Sequence, residues 1–494
     1  MAEAPESATT PRSRGLRGGS LSIWEAVGIS IALMAPSMAA NINPQGTVGL
    51  VGRAVPLAFV FATVGVLLVS YTFVRLCQVY NHAGSVFGFV GATLGPRAGV
   101  LAGWSLMGTY TFYACVTSAA AGIFTATFLD EIGVWNNPPL WSQFMFAFIA
   151  LAGAFALASF PAHTATRILL SIEGVTVLLI VTVATVVLVK VIAGDTPGNQ
   201  TFTLKVFSPP SGTNLGDIFK GAVFGFLSFA GFEAAATLGE ETREPRRAIP
   251  RAILATAVFG GIYFIYVTSV EMMGFGTDKA GVAAFGSSGS LLGDLGSTYM
   301  TSSVGNVITL GTAISAFGCC LACVVGGSRI LYTLSRDGLG TTAFGSVRSE
   351  TGSPVRALAL VTLVAAVIVA ACRIFFTHDV FDVFVWSGVI GTLILLVAYV
   401  LATLGAVRLL WFRGTHRVPI WQIIVPVAAL IVLVATLYYN VDPDAVKATR
   451  WNYYTAGIWV AAGAVLVLVL PGLAKRVGSG LSRHEGLTDS SAGE

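Results

Sequence analysis

The chain has 494 residues, of which 55% are hydrophobic and only 11% are charged, and its formal net charge is +4. Soluble domains contain about 25% charged residues, so this composition predicts an integral membrane protein and argues against a chain of several soluble domains. Basic residues in such a protein mark its topology, so the small positive charge does not indicate a nucleic-acid partner.

Apolar segments of membrane-spanning length follow one another along the chain and predict an all-α membrane protein with about twelve transmembrane helices. The predicted helices cover residues 22–49, 54–77, 98–128, 139–160, 167–193, 216–239, 250–275, 303–334, 355–376, 382–410, 420–439 and 453–474. Residues 1–19 and 477–494 are small and polar, so we expect disordered tails there. Between the tails we expect a core of ten helices over 20–410 and two further helices over 411–476.

Lys and Arg are distributed unequally over the two sides of the predicted helices. If both termini lie in the cytoplasm, only a minority of the 28 basic residues lie outside, namely Arg53, Lys190, Lys205, Lys220, Lys279, Arg373, Lys447 and Arg450. The positive-inside rule therefore favours a multi-pass protein of the cell membrane with cytoplasmic termini. The external connection 278–302 is either a lid over an outward cavity or a plain solvated loop.

Two of the predicted helices are interrupted. Pro36 removes a backbone donor in helix 1, and Gly231 loosens helix 6 next to the carboxyl group of Glu233. These helices are five apart, which is the spacing expected of inverted repeats whose first helices are broken near the midplane. The repeats would cover about 20–193 and 215–410, although Pro36 alone is equally consistent with a simple kink.

Four motifs in order resemble those of the amino acid, polyamine and organocation transporter superfamily. They are NHAGSVFGFVGATLGPRAGVLAGW from Asn81 to Trp104, GFEAAATLGEETREPRRAIPRAI from Gly231 to Ile253, SRILYTLSRDGLG from Ser328 to Gly340 and SPVRA from Ser353 to Ala357. The chain is similar to this family over roughly 20–475, and most closely to its bacterial amino acid permeases. The resemblance implies the leucine-transporter-type fold, a 5+5 inverted repeat with two peripheral helices, and secondary transport by alternating access.

The resemblance also implies a substrate site at the two helix breaks. Carried over by position, backbone amides of Ser37, Met38 and Ala39 would hold a substrate carboxylate, and carbonyl groups of Met34, Ala35, Phe229 and Ala230 would hold an ammonium group. A helix N-terminus is physically suited to bind an anion. Candidate side-chain gates are Phe229, Phe232, Tyr110 and Trp386, although ordinary packing is the simpler explanation for each of these aromatic residues. Many relatives have a Gly-rich run where this chain has Ala35, Pro36 and Ser37.

Glu173 and Glu233 are the candidate coupling residues. Glu173 lies well inside helix 5, where some relatives have a Lys in place of a sodium ion, so it is either a proton carrier, a cation ligand or a structural hydrogen-bonding group. Arg75 replaces a Glu of many relatives and is either a gate residue that pairs with Glu240 or Glu241 or a side chain that reaches to the membrane interface. We expect a proton, in preference to sodium, as the coupling ion and no cofactor.

Other classes of protein have little support in the sequence. Cys319 and Cys323 are one helical turn apart, but no His completes a metal shell, and we expect no metal and no catalytic site. A sensor or a membrane-embedded enzyme remains a distant alternative. The expected partners are the lipid bilayer and a small-molecule substrate. We expect the protein to be a monomer or a homodimer. We expect import of a neutral or broadly selected amino acid, with exchange as an alternative, and an amine or polyamine if Glu173 or Glu233 reaches the pocket.

Overall fold

The computed structural model describes residues 23–80, 85–160, 163–198, 200–238, 242, 244–336, 343–347, 353–414, 417–441, 447–469, 472 and 476. These residues form α-helices joined by short turns, and no β-strand occurs among them. In chain order the helices are α1 (Ile23–Met34), α2 (Pro36–Val51), α3 (Val55–Val79), α4 (Ser85–Leu94), α5 (Pro96–Glu131), α6 (Leu140–Ala158), α7 (His163–Ala193), α8 (Leu215–Ser228), α9 (Pro245–Phe275), α10 (Lys279–Ser287), α11 (Leu291–Tyr299), α12 (Ser302–Leu334), α13 (Val355–Ala371), α14 (Val380–Val407), α15 (Ile424–Asn440) and α16 (Lys447–Val469).

Within the described residues, ten helical stretches are long and apolar enough to cross a membrane. The sequence predicts about twelve, and the difference has two physical causes. Predicted helices 1 and 2 join into one stretch, Ala26–Val79. Predicted helix 6 falls below spanning length because α8 ends after 14 residues. The chain is therefore a multi-span helical membrane protein.

Both predicted interruptions are present. Ala35 separates α1 from α2 and adopts a left-handed conformation with φ 44° and ψ 57°, which is costly for a residue with a Cβ. Pro36 then begins α2, a position where its missing N–H is no loss. In helix 6, α8 ends at Ser228, and Gly231 has φ +102° before a short 3₁₀ turn, Ala234–Leu238.

The two breaks are held side by side by α1. The Ser30 hydroxyl accepts a hydrogen bond of 2.9 Å from the backbone N–H of Ala235 in the 3₁₀ turn. A Cβ placed on Gly231 would lie 2.9 Å from the Cβ of Leu33, so only glycine allows this close approach. The contact brings the break after α1 next to the break in helix 6.

Three helices lie in connections where no full span was predicted. Helix α4 follows predicted helix 2, in the motif that resembles a re-entrant segment. Helices α10 and α11 occupy the 278–302 connection, which we call the lid segment. Helix α9 begins at Pro245, five residues before the predicted start, because a proline fits the first turn of a helix. The two tails lie outside the described residues.

Candidate functional site

The backbone amides at the start of α2 are all engaged within the protein. Pro36 has no N–H, and the amide of Ser37 donates to Oε1 of Glu173 at 2.9 Å. The amide of Met38 donates to the Ser315 hydroxyl at 3.3 Å, and that of Ala39 to the carbonyl oxygen of Ala35 at 2.9 Å. These are the three amides that the resemblance assigns to a substrate carboxylate. In this state of the molecule a carboxylate of the protein itself binds the first of them.

Glu173 therefore serves as a cap for the broken helix. Its side chain projects from α7, is buried and meets the N-terminus of α2, where the helix dipole favours an anion. Ser315 brings α12 to the same point, since its hydroxyl lies against the Met38 amide. A single carboxyl group thus joins α7 to the interrupted helix, so a change in its protonation state would alter the contact.

A small cavity lies on the other side of the interruption. It is lined by residues of α1, α2, α5, α8, α12 and α14 and of the helix 6 break, among them Met34, Met38, Tyr110, Ala230 and Glu233. Its volume is about 30 Å³. This is room for about one water molecule, so an amino acid or an amine enters only if the surrounding helices move apart.

Glu233 is the ionisable carboxyl residue in the cavity wall. Its Oε2 atom is buried and has no hydrogen-bond partner within the described part of the chain. The hydroxyl of Tyr399 interacts with this carboxyl group from behind the cavity wall, since Tyr399 is not among the residues that line the cavity. A buried polar atom without a partner is costly, so Oε2 of Glu233 is suited to bind a polar ligand group.

The predicted site residues fall into two groups. Met34, Met38, Tyr110, Ala230 and Glu233 line the cavity, whereas Ala35, Ser37, Ala39, Phe229, Phe232 and Trp386 do not.

The two predicted phenylalanine gates pack behind the cavity. The Phe229 ring contacts Phe264 at 5.4 Å between centroids. The Phe232 ring packs edge-on against Phe73 at 5.8 Å and Tyr399 at 5.9 Å. These rings support the cavity wall, and a gating role requires them to move.

Arg75 contacts neighbouring helices near the end of α3. Its guanidinium group donates to Oε1 of Gln422 at 2.8 Å and to Oε1 of Gln78 at 3.1 Å, and it lies over the ring of Tyr71. Glu240 and Glu241, its predicted gate partners, lie outside the described residues. The bond to Gln422 ties α3 to the turn that precedes α15.

Asn41 is the polar residue that sequence reasoning overlooked. It is fully buried in α2, and its Nδ2 donates to the carbonyl oxygen of Ser37 at 2.9 Å and to the Thr312 hydroxyl at 3.2 Å. Its Oδ1 accepts from the Ser290 hydroxyl at 3.0 Å and from the Leu292 amide at 2.8 Å. One side chain thereby joins the broken helix to the lid segment and to α12.

Gln45 makes a second connection to the lid segment one turn further along α2. Its Nε2 donates to the carbonyl oxygens of Phe285 and Ser288 at 3.1 and 2.6 Å. Polar amide side chains repeated along a predicted membrane-spanning helix, at Asn41, Asn43 and Gln45, were the available signal in the sequence. No cluster of His, Cys, Asp and Glu suited to a metal was found in the described ranges.

The family follows from a comparison with known protein families. Residues 25–473, nearly the whole chain, match the model of the amino acid permease family. The chain belongs to the amino acid permease family. Members of this family are transporters, and the buried cavity between two broken helices of this permease is consistent with a carrier.

Individual relatives of the permease differ in what their names say they carry. It is 27% identical over 325 residues to the low-affinity putrescine importer PlaP of Escherichia coli (strain K12), covering 64% of this chain and 67% of that protein. It is 23% identical over 433 residues to the branched-chain amino acid permease BcaP of Lactococcus lactis, covering 84% and 86%. It is 26% identical over 328 residues to the mouse cationic amino acid transporter 4, covering 63% and 49%.

Proposed function

We propose that the permease is a proton-coupled importer of an organic amine that works by alternating access. The observation that carries this substrate class is Glu233, a buried carboxyl residue in the cavity wall whose Oε2 has no partner among the described residues. A protonated amine pairs with a carboxylate through charge-assisted hydrogen bonds, which are roughly twice as strong as neutral ones. Tyr110 and Tyr113 also line the cavity and offer aromatic faces to a cation.

The remaining cavity wall gives a substrate carboxylate little to bind. None of the described residues that line the cavity is Lys, Arg or His. The amides of Ser37, Met38 and Ala39 are engaged by Glu173, Ser315 and Ala35. A zwitterionic amino acid would leave its carboxylate unpaired in a buried site, which is costly. The putrescine importer among the relatives supports the same substrate class.

A matched pair of ligands tests the substrate class directly. Putrescine and ornithine differ only in the carboxylate of ornithine, so equilibrium binding of both to the purified permease isolates the effect of that group. We expect tighter binding of putrescine, and we expect Glu233→Gln to weaken it about tenfold to a hundredfold, because a hydrogen bond to a charged group is lost. Equal binding of putrescine to wild type and to the variant would contradict the role of Glu233.

Glu271→Gln is the matched control for this substitution. Glu271 is a fully buried carboxyl residue of α9 that does not line the cavity. Loss of putrescine binding in both variants would indicate a general effect of removing buried carboxyl groups and not a contact with the ligand.

Proton coupling is proposed for Glu173. In its ionised form it caps α2 through the Ser37 amide, and protonation would weaken this bond and free the N-terminus of the broken helix to move. Glu173→Gln keeps an oxygen that accepts from Ser37 but removes the titrating proton. In proteoliposomes we expect the variant to retain substrate exchange and to lose accumulation driven by a proton gradient. If the variant accumulated substrate as well as the wild type does, Glu173 would have a structural role and not a coupling role.

Proton-coupled import of an amino acid is the second candidate function, and the contact between Glu173 and Ser37 favours it. Once Glu173 is protonated, a substrate carboxylate could replace it at the N-terminus of α2. Proton and substrate would then bind together. Tighter binding of ornithine than of putrescine, increasing as the pH is lowered, would favour this function over the first.

The remaining proposals concern the arrangement in the membrane. The distribution of Lys and Arg supports cytoplasmic termini, which puts the lid segment on the external side. The hydrogen bonds that Asn41 accepts from the lid segment and that Gln45 donates to it would then hold the external entrance closed in this state. We propose that the transporting unit is a monomer or a homodimer.

A further inference from the structure

An apolar groove opens on the lipid-facing side of the bundle, away from the cavity. Its walls are residues of α3, α7 and α9 and of the segment 202–207, and its volume is about 530 Å³. Phe202, Leu204 and Ile262 line it and are each more than half exposed. A groove of this volume is within the range that accommodates small organic ligands.

The hydroxyl groups in the groove are already bonded within the protein. Thr63 donates to the carbonyl oxygen of Phe59 at 2.7 Å, and Ser269 donates to that of Ile265 at 2.6 Å. The Tyr266 hydroxyl bonds to that of Thr185 at 2.9 Å. The walls therefore offer apolar contact and little else, which suits a hydrocarbon chain and not a polar solute.

Two cations lie at the lid end of the groove. Lys205 belongs to the 3₁₀ turn Leu204–Phe207, whose neighbouring residues line the groove, and its side chain is exposed. Arg53 lies beside this turn, since its Nε donates to the carbonyl oxygen of Lys205 at 3.4 Å.

Two acidic residues in neighbouring connections have partners of their own. Asp195 lies 3.8 Å from Lys190, and Asp278 accepts from the Gly281 amide as the cap of α10. The rim therefore carries a local positive charge beside the start of α3. A lipid phosphate in either leaflet can pair with Lys and Arg side chains through charge-assisted hydrogen bonds.

We propose that the groove binds an anionic phospholipid, with one acyl chain between α3 and α9 and the phosphate against Lys205 and Arg53. The groove supplies the apolar contact, and the two cations select for headgroup charge. The floor of the groove includes Gly261, and its neighbour Gly260 packs against Phe229 and Met34 at the helix breaks. A lipid in the groove would therefore contact α9, the helix that packs against both helix breaks.

The test is lipid binding to the purified full-length chain in detergent. Phosphatidylglycerol and phosphatidylcholine with identical acyl chains are titrated, and native mass spectrometry counts the lipid retained per chain. We expect one retained phosphatidylglycerol and a preference over phosphatidylcholine of about thirtyfold, the sum expected from two cations near a lipid surface. Equal retention of the two lipids would overturn the proposal.

Variants separate the two parts of the site. The double variant Arg53→Gln and Lys205→Gln should bind the two lipids equally well. Lys279→Gln removes an exposed cation at the same end of the bundle and should leave the preference unchanged. Ser269→Phe, which fills the groove, should prevent retention of the lipid. Leu254→Phe places the same side chain on an exposed part of α9 outside the groove and should not. A preference that survives the double substitution would contradict the role of the rim.

Discussion

Gly231 determines how closely the two broken helices approach. Its φ of +102° lies in a region that residues with a Cβ rarely adopt, and a Cβ there would lie 2.9 Å from that of Leu33. The backbone conformation and the lack of room for a Cβ therefore both require glycine at this position. The neighbouring Glu233 carboxyl group owes its position in the cavity wall to this turn.

We predict that Gly231→Ala destabilises the folded protein by about 1–2 kcal/mol from the backbone alone, with a further cost from the contact with Leu33. Gly28→Ala in α1 is the control, because no atom lies within 4 Å of its added Cβ. Alanine is favoured over glycine in a helix, so the control should keep or raise the melting temperature. Thermal unfolding in detergent measures both, and equal melting temperatures for the two variants would contradict the role of Gly231.

The sequence singled out candidate residues for the site but did not predict what they contact. A carboxyl residue well inside an apolar span is costly, which singled out Glu173 and Glu233. Their partners come from segments far apart in the chain, so neither the Ser37 amide as the partner of Glu173 nor the unpartnered oxygen of Glu233 could be deduced from spacing. The proposal that a substrate carboxylate binds at the start of α2 depended on resemblance, and those amides are engaged in this state.

At the scale of helices, Asn41 connects the broken helix to the lid segment. Its four hydrogen bonds reach α2 itself, α12 and the start of α11. Because the side chain is fully buried, the groups it pairs would be left without partners if it were removed.

We predict that Asn41→Ala loosens the lid segment, since Ser290 and the Leu292 amide lose their shared acceptor. Amide hydrogen exchange over residues 279–299 should become at least tenfold faster, because two lost buried bonds cost about 2 kcal/mol together.

Asn43→Ala is the control for this substitution. Asn43 is also a buried Asn of α2, but its Nδ2 donates to the Ser228 hydroxyl of α8 at 2.7 Å and not to the lid segment. If both variants accelerated exchange in the lid segment equally, the connection through Asn41 would be refuted.

The long spans could be predicted from hydropathy, whereas the helices of the lid segment could not. Spans such as α5 and α12 agree with their predicted ranges to within a few residues, because about twenty apolar residues in lipid have to form a helix. The helices in the connection 278–302 are short, and this connection is polar and Gly-rich. They therefore depend on packing against the long helices and on hydrogen-bond acceptors such as Asn41. The sequence therefore left a lid and a plain loop equally open.

At the scale of the whole molecule, the two interrupted helices meet at one small cavity, with Glu173 on one side of α2 and Glu233 in the cavity wall. A cavity of about 30 Å³ is closed to any organic amine, so transport requires the helices around it to separate and close again. The inverted repeat predicted for 20–193 and 215–410 would provide this motion.

Uptake by proteoliposomes containing the full-length chain tests the central claim most directly. Radiolabelled putrescine and ornithine are compared with an imposed inward proton gradient, with an equal sodium gradient, and with neither. Proton-coupled amine import predicts accumulation of putrescine above its external concentration only with the proton gradient, and little accumulation of ornithine. Accumulation of ornithine but not of putrescine, or accumulation of putrescine driven by sodium alone, would contradict it.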